Sequence, residues 1–399
     1  MTQETLAEAP YLDVADPTFS IRSQAVLDAR EASWYARTNY GIAVLRYDDV
    51  MKLLRHPKLR QGSYRWPELS DVHGGLFARW WGAMLLSQEG ETHSRLRRMA
   101  NPAFSPKLIT ELRPKFQALA NKLIDGFAAK GECDFIAEFT EPYATGVICD
   151  LLGLPFETWR ELADIAAEMG LALGVTFKQD LATVEAATAR LLKYAEDLVA
   201  LKRANPSDDF VGMLVQANAD KSQLSDQELL DMIVLAIFGG IDTTRNQLGL
   251  AMATFIEHPE QWALLAEQPD LARAAVEEVM RVRPTVTWVT REATEDFTYN
   301  DLPIKAGTTI HLFSQSATSD PAVFPEPGFD ITAERKPHFG FGGGAHHCLG
   351  HFIARGDMTE ALKLLAQRLK NPRFNGEVKW LADSGNTGAI TLPIAFDPA

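Results

Sequence analysis

A glycine-rich segment near the carboxyl end of the chain holds the residues best suited to chemistry. It reads His338-Phe-Gly-Phe-Gly-Gly-Gly-Ala-His-His-Cys-Leu-Gly350, with five glycines between positions 340 and 350. Glycines adopt backbone conformations closed to other residues and let a flat partner approach the chain closely. Cys348 then stands at the predicted start of a helix, where amide N–H groups and the helix dipole stabilise a thiolate. The pattern predicts that Cys348 is a nucleophile or a metal ligand.

The residues alone leave several roles open for this cysteine. Free cysteines are commonly buried, so Cys348 could be a structural residue beside a glycine turn. A zinc site with His346 and His347 fits poorly, because adjacent residues rarely converge on one tetrahedral ion. A Cys–His hydrolase lacks a particular acid partner in the sequence. With Cys133 and Cys149 the chain has three cysteines, too few for a disulfide framework, which fits a reducing cytoplasm.

The same segment resembles the haem-ligand signature of the cytochrome P-450 family, of the soluble bacterial type. Every specified position of that signature is filled, by Phe341, Gly342, Gly344, His346, Cys348 and Gly350. The resemblance implies that Cys348 is the axial thiolate ligand of the iron in haem b, iron protoporphyrin IX, and that Phe341, Gly342 and Gly350 belong to the cofactor site. A thiolate ligand pushes electron density onto iron and favours O–O cleavage.

A second candidate site lies inside the longest predicted helix. Ser225, with Glu228 three residues later, has the spacing of a capping box, and no stop signal precedes His258-Pro259. The helix should therefore be about 50 Å long. Gly239 and Gly240 fall near its middle, where each glycine costs about 1 kcal/mol relative to alanine. Such a cost requires a packing or functional reason.

Asp242 and Thr243 follow those glycines directly. Thr243 lies four residues after Gly239, so its hydroxyl can bond the Gly239 carbonyl and open the helix locally. Asp242 is rotated about 100° away and can reach water or another charge. A simple glycine contact with a crossing helix would also account for the segment. The resemblance implies instead that Asp242 and Thr243 are the family's acid–alcohol pair, which shapes an oxygen-binding groove and delivers protons.

Basic residues predict the site of the haem carboxylates. His93 and Arg97 are four residues apart and share one face of a predicted helix, which by default would be a solvated basic surface. The resemblance implies that these two residues, with Arg291 and His346, bind the haem propionates. Arginine suits a carboxylate because its planar fork donates two parallel hydrogen bonds.

A further pair is predicted to be structural. Glu278 and Arg281 span one helical turn and can form an ion pair, which the resemblance places in the protein interior. The family's third partner is an arginine shortly after a Phe-Asp pair, but that position here holds Ala333. The nearest arginine is Arg335, and the sequence leaves open whether it substitutes.

Composition limits the class of protein. The 399 residues include 39 basic and 53 acidic side chains, a formal net charge of −14, with 46% hydrophobic and 23% charged residues. These values are ordinary for a globular protein, and the acidic balance argues against a nucleic-acid partner. The longest apolar run, Met232–Ile241, is ten residues long, about half of a membrane span. The polar segment 1–10 is not a signal peptide, so we expect a cytoplasmic protein with no membrane partner.

The elements that must position these residues are mainly helical. We predict helix-rich parts at residues 90–282 and 349–369, and strand-rich parts at 40–46, 285–317 and 373–398. Helical periodicity fades and aromatic residues gather between positions 61 and 86, and residues 320–347 show almost no regular structure. With no linker or repeat, the expectation is a single domain over residues 1–399, mainly α with a smaller β-rich part. The resemblance implies the P-450 fold, with haem between the long central helix and the cysteine-loop helix.

The resemblance also implies the activity. A haem-thiolate monooxygenase would insert one atom of O2 into a mostly hydrophobic small organic molecule, with electrons from a separate ferredoxin and its reductase. A peroxide-driven haem-thiolate enzyme, which does not need Asp242 and Thr243, and a haem-thiolate sensor, which needs no substrate pocket, are the alternatives. The chain is expected to be a monomer.

Two surfaces are also expected to carry function. Family topology places mainly apolar or neutral residues around the substrate: Met84, Leu85, Leu235, Phe238, Gly239, Thr287, Val289, Asn386 and Thr387. A basic docking patch for the electron donor is expected from Arg55, Arg95, Arg98, Arg335 and Lys336.

Overall fold

The structure, a computed structural model, describes residues 9–174 and 176–398 of the chain. Its α-helices are, in chain order, α1 (Gln24–Ala32), α2 (Tyr47–Leu53), α3 (Trp66–Leu69), α4 (Gly75–Ala83), α5 (Gly90–Ala100), α6 (Pro106–Phe127), α7 (Glu141–Leu152), α8 (Trp159–Gly170), α9 (Phe177–Ala204), α10 (Phe210–Ala217), α11 (Asp226–Glu257), α12 (Pro259–Glu267), α13 (Ala272–Val282), α14 (Ser314–Thr318) and α15 (His351–Arg368).

The strands are short and lie mostly near the two ends of the chain. They are β1 (Tyr11–Leu12), β2 (Tyr35–Thr38), β3 (Gly41–Val44), β4 (Leu59–Gln61), β5 (Glu132–Asp134), β6 (Trp288–Ala293), β7 (Phe297–Tyr299), β8 (Leu302–Ile304), β9 (Thr309–Phe313), β10 (Leu369–Phe374), β11 (Lys379–Trp380), β12 (Ala389–Thr391) and β13 (Pro393–Pro398). The expectation of a mainly α protein with a smaller β part is confirmed.

The largest sheet has six strands in the order β1-β2-β3-β9-β6-β4. Strand β3 pairs parallel to β9, and β9 pairs antiparallel to β6. Because side chains alternate along a strand, Ile42 and Val44 pack into one hydrophobic cluster and Ala43 into another. Both faces of this sheet are therefore covered. A three-stranded sheet (β10-β13-β5) and two hairpins hold the rest of the strands.

The long helix α11 runs through the largest hydrophobic core. It begins as predicted: the Ser225 hydroxyl accepts from the Glu228 amide, and the Glu228 carboxylate accepts from the Ser225 amide. The hydrogen-bonded ion pair with Arg95, with the Ser225 bonds as smaller causes, lowers the pKa of Glu228 to about 2 despite its partial burial. Helices α7, α8, α9 and α10 pack against α11, so residues at its middle are fixed by packing from several sides.

No helix within residues 9–174 and 176–398 is both long and apolar enough to cross a membrane.

Candidate active site

An internal cavity of about 380 Å³ lies between the middle of α11 and the beginning of α15. All eight residues predicted to hold a cofactor border it: His93, Arg97, Arg291, Phe341, Gly342, His346, Cys348 and Gly350. The rest of its wall is mostly apolar, with Leu85, Val147, Met232, Leu235, Ala236 and Val289 among the contributors.

The glycine loop folds back on itself so that Cys348 faces this cavity. The Gly342 amide donates to the Phe339 carbonyl at 2.8 Å, and the Cys348 amide donates to the Phe341 carbonyl at 2.9 Å. Gly342 and Gly344 have φ of +66° and +72°, a left-handed conformation that residues with a Cβ rarely adopt. The loop therefore depends on glycine at these two positions.

The surroundings of the Cys348 thiol decide its charge. The surface that Cys348 exposes faces the cavity, while the residue lies deep among protein atoms. Burial raises the pKa of Cys348, and the amides of Gly350 and His351 together with the charges of Arg97 and Arg355 act in the opposite direction. Within the described residues no three His, Cys, Asp or Glu side chains are placed to share a metal ion. The zinc interpretation of this segment therefore has no support.

Arg97 and Arg291 carry positive charge to the cavity without a carboxylate partner among the residues the structure describes. The Arg97 guanidinium donates to the His347 carbonyl at 2.6 Å. Arg291 is 3% exposed and donates only to the carbonyls of Thr290, Leu54 and Gly343. Burial lowers the pKa of Arg291 to about 10. Buried charges in proteins are normally paired, so this arrangement calls for an anion in the cavity.

Two histidines complete the same wall. The rings of His93 and His346 lie 4.2 Å apart between centroids. The His346 Nε2 is 3.1 Å from an oxygen of Glu89, and the same oxygen accepts a hydrogen bond from the backbone N–H of Gln61 at 2.6 Å. Burial, with the neighbouring His93 charge as a smaller cause, lowers the pKa of His346 to about 4, so this histidine is neutral near pH 7.

Sequence reasoning missed Glu89. Its signal is slight: an acidic residue directly before a helix, where a negative charge is generally favourable. Its contact with His346 joins residues 257 positions apart, which no local pattern reveals.

The two glycines in the middle of α11 have different structural roles. A Cβ on Gly240 would lie 2.4 Å from Cδ1 of Ile148 on α7, whereas a Cβ on Gly239 would meet only Leu235 Cδ1 at 3.8 Å. Gly240 thus permits close packing of α7 against α11, and Gly239 leaves space at the cavity wall. The contact with the crossing helix α7 therefore explains Gly240 but not Gly239.

Thr243 and Asp242 lie on different sides of α11. The Thr243 hydroxyl donates to the Gly239 carbonyl at 2.7 Å, as predicted, and the residue borders the cavity. Asp242 does not border it. The Asp242 carboxylate accepts hydrogen bonds from Arg245 at 2.8 Å, from Asn246 at 3.2 Å and from Asn386 at 3.0 Å.

The structure brings together only part of the predicted substrate pocket. Leu85, Leu235, Gly239 and Val289 border the cavity. The remaining predicted residues lie behind its wall: Met84, Phe238, Thr287, Asn386 and Thr387 are buried but do not border it. Phe238 packs against the rings of Trp80 and Trp81. The Thr287 hydroxyl bonds the Ser384 carbonyl, which leaves no hydroxyl proton for a ligand.

Glu278 and Arg281 form the expected ion pair, and Arg335 joins it. The Arg281 guanidinium donates to both Glu278 oxygens, at 2.7 and 2.6 Å, and the two residues are 3% and 1% exposed. Arg335 lies 3.4 Å from the same carboxylate. It also donates to the Glu326 and Gly328 carbonyls. A positive charge two residues beyond Ala333 therefore joins the Glu278–Arg281 pair.

Comparison with known proteins gives the chain its family. A family model of cytochrome P450 matches residues 261–393. The luteothin monooxygenase of Streptomyces thioluteus is 37% identical over 402 residues, covering 100% of this chain and 98% of that protein. The chain belongs to the cytochrome P450 family.

Further relatives agree with this assignment. The mycinamicin IV hydroxylase/epoxidase of Micromonospora griseorubida is 32% identical over 99% of this P450 and 100% of that protein. The crystal structure of CalO2 superposes with a TM-score of 0.88 at 28% identity, covering 96% of this chain and 98% of that one. This P450 is accordingly a monooxygenase, and its cofactor is haem, iron protoporphyrin IX.

The cavity of this P450 fits that cofactor on three independent grounds. A single thiol lies on its wall beside amide donors and two guanidinium groups. Two arginines with no carboxylate partner in the described part of the chain face it, and haem carries two carboxylates. Gly342, which borders the cavity, keeps the loop free of a side chain where the flat macrocycle would approach. Thiol, positive charge and an open loop together match the iron, the propionates and the flat face of haem.

Proposed function

We propose that Cys348 is the axial ligand of haem iron and that this chain inserts one oxygen atom of O2 into a neutral, largely apolar organic molecule. The observation that carries the proposal is the lone thiol on the wall of a cavity that two arginines without carboxylate partners also line. When bound, haem supplies the activation of O2, with one oxygen atom transferred to the substrate and the other released as water. The chain's own residues hold the haem, orient the substrate and deliver protons.

The cysteine loop and the basic residues of the cavity would hold the haem. The amides of Gly350 and His351 donate toward the Cys348 sulfur and stabilise its anionic form, which tunes the donor strength of the thiolate. Arg97 and Arg291 neutralise the two propionates. His93 and His346 lie at the same edge, and Glu89 orients the His346 ring by accepting a hydrogen bond from its Nε2.

Proton movement falls to α11. The bond from Thr243 to the Gly239 carbonyl fixes the hydroxyl at the cavity, where it can hold a water molecule. Asp242 lies on the other side of the helix, and its partner Arg245 is 3.7 Å from Glu141 on α7. Asp242 is therefore the group that would pass protons from outside toward Thr243, and Arg245 holds its carboxylate in place.

Electrons are proposed to come from a separate ferredoxin with its reductase, in the cytoplasm. The structure changes the expected docking patch. Arg95 is held by Glu228 at 2.6 Å and Arg335 by Glu278, so neither is available. Arg55, Arg98 and Lys336 are exposed without a carboxylate partner among the described residues, and we retain these three.

The substrate class follows from the charges in the cavity. The positive groups that border it are the ones assigned to the propionates and the cysteine loop. Asp357 also borders it, and burial raises the pKa of Asp357 well above its ordinary value, which favours the uncharged form of that side chain. A substrate carboxylate or ammonium group would therefore lack a partner and carry a desolvation penalty. Relatives named as monooxygenase and hydroxylase/epoxidase support hydroxylation or epoxidation as the reaction.

The test of this proposal has two steps. A compound library is first screened for the Soret shift that accompanies displacement of water from haem iron. The Thr243→Ala variant is then compared with wild type on a substrate so found, with ferredoxin and reductase. The variant should bind haem and substrate normally but yield severalfold less product per electron, with the balance as hydrogen peroxide. Unchanged coupling would contradict the acid–alcohol assignment, and full activity with peroxide alone at the wild-type rate would favour the peroxide-driven alternative.

A further inference from the structure

The tail segment 384–387, between β11 and β12, forms part of the cavity's supporting wall. Asn386 and Val286 form an isolated antiparallel bridge. On either side of it, the Thr287 amide donates to the Gly385 carbonyl at 3.2 Å and the Thr387 amide to the Thr285 carbonyl at 2.9 Å. Thr285 and Val286 border the cavity. The tail is therefore hydrogen-bonded along the back of a segment whose front faces the substrate space.

The side chain of Asn386 connects this wall to α11. Its Oδ1 lies 2.7 Å from the Thr285 hydroxyl, and its Nδ2 lies 3.0 Å from Asp242 Oδ2. An ionised carboxylate can only accept hydrogen bonds, so the amide nitrogen must be the end that faces Asp242. Asn386 is 8% exposed, and burial strengthens the orientation because the alternative would place two oxygens against each other.

The donors to Asp242 come from different directions. Arg245 and Asn246 lie on the same helix as Asp242, within one turn of it. Asn386 is the donor that comes from another part of the fold, 144 residues along the chain. Without it, the carboxylate would be held only from its own helix and could turn about its side-chain bonds.

We propose that Asn386 is a positioning residue for Asp242, which it fixes to the cavity wall formed by Thr285 and Val286. The inference rests on the proposed role of Asp242 and Thr243 in proton delivery. Because the wall and the carboxylate share one hydrogen-bonded connection, a substrate that packs against Val286 also stabilises the proton-delivering position of Asp242. Asn386 thereby couples filling of the pocket to proton supply, although it does not border the cavity itself.

The test uses the isosteric variant Asn386→Asp in the holoenzyme. An aspartate at this position fills the same space and still accepts from Thr285, but it faces Asp242 with a second carboxyl. Whether the two carboxyls repel each other or share one proton, the neutral amide donor is lost and the charge state of Asp242 is altered. We expect the carbon monoxide spectrum and the substrate-induced Soret shift to be unchanged. Product per electron should fall at least threefold, kcat should fall without a matching rise in KM, and the solvent deuterium isotope effect on turnover should increase.

The matched control is Asn375→Asp. Asn375 is an exposed residue of the same tail, and its Nδ2 donates to a carboxylate, that of Glu132, at 2.9 Å. The control loses an equivalent hydrogen bond but should leave coupling and the isotope effect at wild-type values. If Asn386→Asp does not retain haem, Asn386→Leu removes the donor without adding charge and serves in the same comparison.

Thermal unfolding of the holoenzyme gives a readout that does not depend on turnover. The loss of melting temperature caused by Asn386→Asp should shrink in an Asp242→Asn background, because the exchanged pair can again form its hydrogen bond. The inference would be overturned if the melting-temperature losses of Asn386→Asp and Asp242→Asn were additive in the double variant. It would also be overturned if Asn386→Asp formed as much product per electron as Asn375→Asp. If Thr243→Ala is also fully coupled, the proposed proton-delivery site itself fails. If Thr243→Ala uncouples and Asn386→Asp does not, only the positioning role of Asn386 fails.

Discussion

Cys348 and Arg291 show how single residues acquire a function from their surroundings. Burial alone would keep the Cys348 thiol protonated, and neighbouring amides and guanidinium groups oppose this effect. Arg291 is the reverse case, a permanent charge that burial makes unfavourable, as the lowering of its pKa to about 10 shows. Each residue would be unfavourable alone, and haem, with its iron and two carboxylates, would satisfy both.

Removal of one propionate-binding arginine should weaken haem retention. In Arg291→Ala a carboxylate would be left poorly paired in a site shielded from water, at a cost of about 2–4 kcal/mol. Haem occupancy after gel filtration and the melting temperature measure the effect. The control is Arg98→Ala, an exposed arginine next to Arg97 on α5. Equal occupancy and melting temperature in the two variants would refute the role of Arg291.

The helix α11 is continuous from Asp226 to Glu257 and has two residues without side chains at its middle. Its capping box fixes the N-terminus, and helices on several sides hold the remainder. At Gly239 and Gly240 the helix has no side chains, so α7 packs closely on one side and the cavity extends to the other. Because successive residues of a helix are rotated by about 100°, Thr243 borders the cavity and Asp242 does not.

Alanine at each of these glycines should have a different effect. Gly240→Ala places a Cβ 2.4 Å from Ile148 Cδ1 and should cost about 1–3 kcal/mol through overpacking. Gly239→Ala has room and should leave stability equal or slightly higher, while it changes which compounds produce a Soret shift. Chemical denaturation measures the first effect. Rescue of Gly240→Ala by Ile148→Ala would confirm its cause, whereas equal stability of Gly239→Ala and Gly240→Ala would contradict it.

The elements that the sequence predicts well are those with a strong local signal. The capping residue and the proline after His258 set both ends of α11, and the glycine–cysteine loop has a pattern of its own. The sequence does not predict helix α4, because its aromatic residues are buried through contacts with distant rings such as those of Phe177 and Phe238. It predicts that Asn386 contacts substrate, but the structure places this residue behind the wall, bonded to Asp242. Contacts between residues far apart in the chain have no local periodicity to reveal them.

At the scale of the whole molecule, a net charge of −14 makes any exposed basic group near the cysteine loop significant. Arg55 and Arg98 both lie near this loop. A Cβ on Gly344 of the loop would be 3.5 Å from Arg55 Cγ, and Arg98 is adjacent in sequence to Arg97, which donates to the His347 carbonyl. An acidic electron donor would be repelled by most of this negatively charged surface and attracted to these exposed basic groups.

Charge reversal at Arg55 should impair delivery of electrons and nothing else. We expect Arg55→Glu to raise the KM for ferredoxin severalfold at low salt, with the difference shrinking as salt screens the charges. The dithionite-reduced carbon monoxide spectrum should be unchanged. Lys193→Glu on α9, a helix that packs on α8 and α11, is the control for a general change of charge. An equal rise in KM for both variants would contradict docking at the loop.

The measurement that tests the central claim most directly is the spectrum of the reduced protein with carbon monoxide. Wild type should show the strongly red-shifted Soret band of thiolate-ligated haem, and Cys133→Ser, which changes another free cysteine, should keep it. Cys348→His should lose the band together with the oxygenase activity, because a neutral imidazole replaces the anionic sulfur. A Cys348→His variant that retains the shifted band would show that the haem ligand is a different residue.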